Sequence, residues 1–378
     1  GAITLVAGDA SGTTLRTGAV TATASGGTLL ITSPTNTTVQ LGTAYAAVGT
    51  SGTTGINNRL VFSDGTANTF NWVTNGISNA GAANTNTTGF LPTTALPESG
   101  VPGVTGQGTA YILTASQTQN TATSLIRSLK LSSSSTSAQT LDLGTTALSM
   151  ILGHGATASP GAILIDGTAA WNINATGGGV FRQAHGSAAG DLIFHQYSTG
   201  TVTVNADIAN NGSTTAAVTN LIKAGNGILI LAGAKTFTGA VFVNGGTLQF
   251  SNNNQLGNAA AATAITIRDG ATLSYTGATA TIAATGTAAH TFALTGGNAT
   301  IEVTGAAATL TLAGVMGGAG GLTIKGPGIL TLSGANTYTG PTNILSGATA
   351  KAGVVAVGTA SGALGSISPT TVDGTLDI

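Results

Sequence analysis

No cysteine occurs anywhere in this 378-residue chain, which excludes a disulfide framework and thiol chemistry. Charge is nearly as scarce. Charged residues make up 6% of the chain, against about a quarter of an ordinary soluble domain. The basic residues are scattered singly and the formal net charge is −1. Nothing here would hold nucleic acid or an anionic membrane by charge. No apolar run reads as a transmembrane segment, so no direct membrane insertion by this segment is expected. The chain opens on Gly1 without a signal-like leader and closes on TTVDGTLDI, a strand just begun. A mature, processed or excerpted piece is the expectation.

Glycine fills much of the space that charge leaves. There are 58 glycines, about twice ordinary usage, with Thr, Ser, Ala and Asn making up most of the rest. A surface of Thr, Ser, Asn and Gly is polar without being charged, which suits an extracellular structural protein. Val, Ile and Leu recur throughout in short runs, so the chain is not read as disordered.

The most regular stretch runs from Lys223 to Thr247, KAGNGILILAGAKTFTGAVFVNGGT, and a related one begins at Lys325, KGPGILTLSGANTYTGPTNILSGAT. Gly227, Leu229, Leu231, Gly233, Phe237 and Gly239 match Gly328, Leu330, Leu332, Gly334, Tyr338 and Gly340. From Gly225 and Gly326 onward the offset is a constant 101 residues. An internal repeat of this kind argues for stacked architecture. From residue 218 onward short apolar runs of three to five residues end at Gly, which is what the corners of a coiled solenoid require. The expected fold is all-β, a parallel β-helix solenoid forming a rod. With about 20–25 residues per coil and a rise of about 4.8 Å, about seventeen coils would span about 80 Å. Inward positions carry Val, Ile, Leu and Ala. Outward positions carry uncharged Thr, Ser and Asn, which avoid like charges repelling from coil to coil.

Three regions follow. Residues 1–74 read as an N-terminal β region contributing the first coils, although their spacing also suits an antiparallel sandwich. Residues 75–108 read as a Pro/Asn/Thr/Gly-rich loop excursion, because Pro92, Pro97 and Pro102 fall within eleven residues and proline removes ladder donors. Phe90, Leu91 and Leu96 would tack this loop to a strand face and are its candidate contacts. Residues 109–378 read as the parallel β-helix, with repeat copies near 225–250 and 326–350. SLIRSLKLSS at 124–133 could pass for a helical turn, but the surrounding Ser and Thr favour strand.

The two motif copies, GILILAGAKTFTG at 227–239 and GILTLSGANTYTG at 328–340, resemble the autotransporter-associated β-strand repeat of bacterial autotransporter passengers and large surface exoproteins. The resemblance implies a right-handed β-helix, export, and display on the outer surface of a bacterium. It brings no catalytic residues. Residues 1–217 hold no clear copy of the motif.

The search for chemistry ends mostly in refusals. Polysaccharide-cleaving β-helices need clustered carboxylates, and the eleven acids here run from Asp9 to Asp377 without a close pair except Asp373 and Asp377. Asp64, Asp166, Asp269 and Asp373 each precede Gly and read as turn residues. The densest set of reactive and aromatic side chains is Phe181, Arg182, His185, Asp191, His195 and Tyr197, a candidate partner- or carbohydrate-binding patch. The spacing of His185 and His195 matches no metal motif. His154 and His290 stand alone. No calcium loop or phosphate loop is present. No cofactor, no metal and no enzymatic activity are expected. The expected function is a rigid surface or extracellular rod for display and adhesion. The alternative is a structural subunit stacking end to end into a fibre, sheath or matrix filament. The partners expected are other copies or neighbouring repeats end to end, surface glycans, and host or neighbouring cell surfaces.

Overall fold

The computed structural model describes residues 2–4, 13–16, 29–32, 37–40, 55–63, 71–75, 94–95, 110–118, 124–126, 128–144, 149–153, 160–183, 189–211, 218–258, 263–283, 290–352 and 370–377. The chain forms two units, Gly1–Gly200 with Asn211–Ala217, and Thr201–Asn210 with Val218–Ile378. Phe90, Leu91, Leu96, His154 and His185 lie outside the described residues, as does Asp64.

In the second unit the described strands form three parallel sheets. The first holds Thr219–Ala224, Val241–Val243, Thr263–Arg268, His290–Thr295 and Met316–Gly317. The second runs from Val202–Val204 through Ile228–Leu231, Thr247–Phe250, Thr272–Tyr275, Asn298–Val303, Gly321–Lys325 and Thr342–Ile344 to Thr370–Val372. The third holds Ala280–Ile282, Thr309–Leu312, Ile329–Leu332, Thr349–Ala352 and Thr375–Asp377. Within a sheet, neighbours are one coil apart in sequence. Leu221 faces Val241 and Ala280 faces Leu310, so a coil takes about 20 to 30 residues.

Parallel stacking turns the period-two pattern of each strand into continuous lines of side chains. Leu229, Leu248, Leu273, Ile301, Ile324 and Ile344 occupy successive rungs of one line, and each is at most 1% exposed. Each such residue contributes about 1.5–3 kcal/mol on leaving water. Beside them Thr247, Thr272, Thr300 and Thr323 form an outward line of hydroxyls. Where charge does appear on that sheet it is matched. Glu302 faces Lys325 on the next rung, with 3.2 Å between their charged atoms.

In the first unit, Thr94–Ala95, Ala110–Leu113, Ser128–Ser133, Gly161–Gly167 and Gly190–Gln196 form one parallel sheet. Gln117–Thr118, Gln139–Asp142 and Trp171–Asn174 form another, and Ser124–Ile126, Ser149–Leu152 and Val180–Gln183 a third. Ser124–Ile126 and Ser128–Ser133 are strands, as the composition of that stretch favoured. A separate sheet lies nearer the N-terminus. Ala2–Thr4, Leu29–Thr32 and Gly55–Ser63 pair in parallel, and Thr13–Arg16 pairs in parallel with Thr37–Gln40. Asn71–Asn75 then joins Gly55–Ser63 antiparallel, with an irregularity between Asn57 and Val61.

From residue 110 onward every described pairing is parallel, so the sandwich alternative does not hold there. The fold is an all-β, parallel-sheet repeat structure of the β-helix-like solenoid kind. Two details escaped the sequence pattern. Asn253–Leu256 is a single turn of 3-10 helix with an Asn252–Gln255 capping box. Asp166 is no turn residue. It is the next-to-last residue of the strand Gly161–Gly167, 2% exposed, with Lys130 Nζ 2.9 Å from its carboxylate. Asp269 and Asp373 do sit at a turn and a bend.

The repeat copies do not stack on each other. In the first copy, Ile228–Leu231 lies in the second sheet. In the second, Ile329–Leu332 lies in the third. The 101-residue offset therefore equals four full coils plus one side. What the copies share is local. Each is a coil with two short strands and a strandless side that buries one aromatic ring, Phe237 or Tyr338, both 0% exposed. The copies also compensate. Tyr338 Oη and Thr342 Oγ1 are 2.6 Å apart, where the first copy has Phe237 and Val241. Replacing Tyr338 by Phe alone is expected to cost about 1–2 kcal/mol through the lost buried hydrogen bond. Adding Thr342→Val should restore most of it, because the pair then matches the first copy. Urea unfolding of the four chains of this cycle measures the coupling.

Candidate functional site

The polar side chains of the solenoid are engaged mainly with its own backbone at the corners, where a coil leaves its ladder and amide groups need other partners. Asn210 Oδ1 accepts from Thr219 N at 2.9 Å and Thr238 N at 3.1 Å. Asn220 Oδ1 accepts from Ala240 N, 2.9 Å away, and Asn336 Oδ1 from Met316 N, 2.8 Å away. Asn220 and Asn336 each tie together segments 20 residues apart, and Asn210 reaches 28 residues to Thr238. These asparagine oxygens all bind backbone amides.

Most of the acids with described partners serve the same purpose. Asp207 accepts from Thr236 N and Oγ1 at 2.8 and 2.6 Å. Asp269 accepts from Asn298 N at 2.9 Å. Asp142 accepts from Gly144 N and Thr176 N at 3.0 and 3.1 Å, and from the Thr176 hydroxyl. Partial burial pushes the Asp142 carboxyl up, but these bonds from Thr176 and Gly144 outweigh it and hold the group below the usual carboxylate range. Among the described residues no group of three or more His, Cys, Asp or Glu could hold a metal.

Two lysines went unnoticed in the sequence. Lys223 stands in an inward line with Val243, Ile267 and Leu294 and is 0% exposed. Its Nζ donates to the carbonyls of Ala224, Gly225 and Gly245 at 3.0, 2.8 and 2.9 Å, which satisfies the three protons of an ammonium group. Burial pulls this amine down to about 7. Lys235 is built alike. Its Nζ donates to Val204 O and Gly233 O, both at 3.2 Å, and to Ala232 O. Burial lowers it to about 8, against the opposing charge of Asp207. The only sequence signal was a lone lysine closing an apolar run, as in LIKAG.

The six residues of the candidate patch part company. Phe181 is buried at 0%, opposite Met150 in the third sheet of its unit. Arg182 is half-buried. Asp191, His195 and Tyr197 are 3%, 0% and 6% exposed, and the His195 and Tyr197 rings stack with centroids 6.4 Å apart. Burial also raises the Tyr197 hydroxyl well above its ordinary range. On the same sheet face lie Lys130 and Asp166, which no sequence pattern connects with them. Leu164 faces Lys130 on one side and His195 on the other.

These features define a repetitive parallel β-solenoid whose described polar groups mostly hold coil to coil. The passenger-associated transport repeat matches residues 221–250 and 322–349, the two segments that carry the 101-residue repeat. The chain is also 36% identical over 157 residues to the adhesin BmaC autotransporter of Brucella suis biovar 1 (strain 1330). That match takes in 40% of the chain and 4% of the relative's length. No solved structure matches. The chain thus carries two passenger-associated repeats and is related to an adhesin autotransporter.

Proposed function

We propose that the chain is a right-handed β-helical rod that presents contacts at a bacterial surface and contributes to adhesion. The observation that carries this reading is the seating of both passenger repeats as coils of one parallel ladder system in the second unit. Export and extension are served by the same chemistry. A chain without cysteine and with few charges needs no oxidative step, and each coil buries its own inward line as it stacks on the last. The 36% identity to an adhesin favours surface contact over a purely structural matrix filament. Glycans and neighbouring cell surfaces are the partners proposed. Residues 75–108 are proposed as a lateral element of the rod carrying Phe90, Leu91 and Leu96 as contacts. Of the five described patch residues, half-buried Arg182 is the one whose exposure suits an outside partner.

The test is display. Fused to a heterologous surface anchor, the chain should raise attachment of the host bacterium to epithelial cells or glycan-coated surfaces several-fold over an anchor-only control. Electron micrographs of the isolated chain should show single short rods. Long filaments built from this chain, with no gain in attachment, would replace adhesion by the fibre reading.

A further inference from the structure

We infer that the described N-terminal strands between Ala2 and Asn75 form a lateral module, docked through Gly55–Ser63 onto the outward face of a sheet in its own unit, and that Lys130, Asp166, His195 and Tyr197 are the seat of this contact. The inference begins with a broken alternation. In the second unit, Thr263–Arg268 and His290–Thr295 alternate buried and accessible positions as strands with one wet face do. Ala264 and Thr291 are exposed there, and Thr266 and Ala293 half-buried. Gly161–Gly167 and Gly190–Gln196 of the first unit show no such alternation. Their inward line includes Ile163 and Phe194. Yet the residues between, Ala162, Leu164, Ile193 and His195, are all 0% exposed. A strand buried on both faces is covered by a second layer.

The second layer is identifiable. Gly55–Ser63 lies against both Gly161–Gly167 and Gly190–Gln196. At nine residues it is the longest described strand, and its own sheet is separate from the one it covers. Asn71–Asn75 closes the edge of that sheet in antiparallel pairing. The outward face beneath is composed for contact rather than for water. Leu164 and Ile193 would form an apolar patch if uncovered. Lys130 and Asp166, 6% and 2% exposed, are a buried charge pair that persists because each neutralises the other. The stacked rings of His195 and Tyr197 complete the surface.

The unaltered chain supplies the first test. Amine acylation should modify Lys130, and diethyl pyrocarbonate His195, at least tenfold more slowly than the same reagents modify the protein unfolded in urea, while Lys325, 56% exposed, reacts at nearly the same rate in both. Hydrogen exchange supplies the second. In a Leu164→Asp, Ile193→Asp chain, amides of residues 55–63 and 71–75 should lose protection at least tenfold while those of 219–352 keep theirs. Should the double variant not fold, Lys130→Met with Asp166→Leu keeps the seat apolar, and the same segments should stay protected. Rapid labelling of Lys130 and His195 in the folded chain, or unchanged protection of residues 55–63 in the aspartate variant, would overturn the inference.

Discussion

A Gly340→Val chain is expected to lose about 3 kcal/mol of stability, seen as a lower urea midpoint with an unchanged slope. The same is expected of Gly239→Val. Neither residue needs glycine for its backbone angles, since neither has a positive φ. Both need it for space. A Cβ at Gly340 would overlap Gly321 N and lie 2.5 Å from Gly320 C, backbone atoms of the preceding coil. At Gly239 it would overlap Thr219 O and meet Asn220 Oδ1 at 2.5 Å. Backbone cannot step aside without opening the ladder, so the strain falls at or beyond the upper end of ordinary overpacking. Gly347 provides the contrast. Its φ is +80° but a Cβ there meets nothing within 4 Å. Asn tolerates that conformation, and Gly347→Asn should cost under about 1 kcal/mol. Equal losses at all three positions would mean that coil spacing is not what these glycines protect.

Stability should rise between pH 7 and pH 9.5, by roughly 2 kcal/mol per pH unit. The folded chain holds Lys223 at about 7 and Lys235 at about 8, whereas an ordinary lysine sits at 10.5. Between those values the unfolded chain binds more protons than the folded one, and raising the pH removes that advantage. Below about pH 6 both lysines are charged in both states and contribute no slope. His290 acts on the acid side. Burial lowers it, despite opposing backbone bonds at Thr263 and Asn253, so stability falls again as pH drops below 6.5. The window ends before the tyrosines titrate: an unfolded tyrosine ionises at about 10, and in the folded chain Tyr338 is pushed up to about 12 by burial, against the Thr342 bond. Lys223→Met should flatten the slope, with its disadvantage relative to the parent growing from pH 7 to pH 9.5. Lys325→Met, at the exposed ion pair with Glu302, should leave the slope intact. A parental profile that is flat across this window would show that the carbonyl cradles leave the ammonium groups with ordinary proton affinity.

Much of the solenoid could be read directly from the chain. Each short apolar run proposed from residue 218 onward contains a strand, because a coil two or three strands long must turn at fixed intervals and glycine marks the turns. The lines of Leu and Ile follow from period-two patterning, which any strand with one buried face displays. The candidate patch was read less well. Phe181, Asp191, His195 and Tyr197 attracted notice as a dense run of reactive side chains, but density in sequence carries no information about cover. A strand of distant origin, Gly55–Ser63, lies over part of that run.

The sequence by itself determined the class of this protein: all-β, stacked, uncharged on its outward lines, without thiols, and carrying a passenger-type repeat at 227–239 and 328–340. These are properties of composition and local period. Only the tertiary structure decided that the two copies occupy different sheets, because their offset sums coils of unequal length and no local pattern records that sum. Tertiary structure likewise decided that Lys223 is an internal staple while Lys325 is a surface charge. Lys223 is next to last and Lys325 last in an apolar strand that ends just before a glycine. What separates them is the side of the sheet each enters, and so whether its ammonium meets the carbonyls of Ala224, Gly225 and Gly245 or water and Glu302.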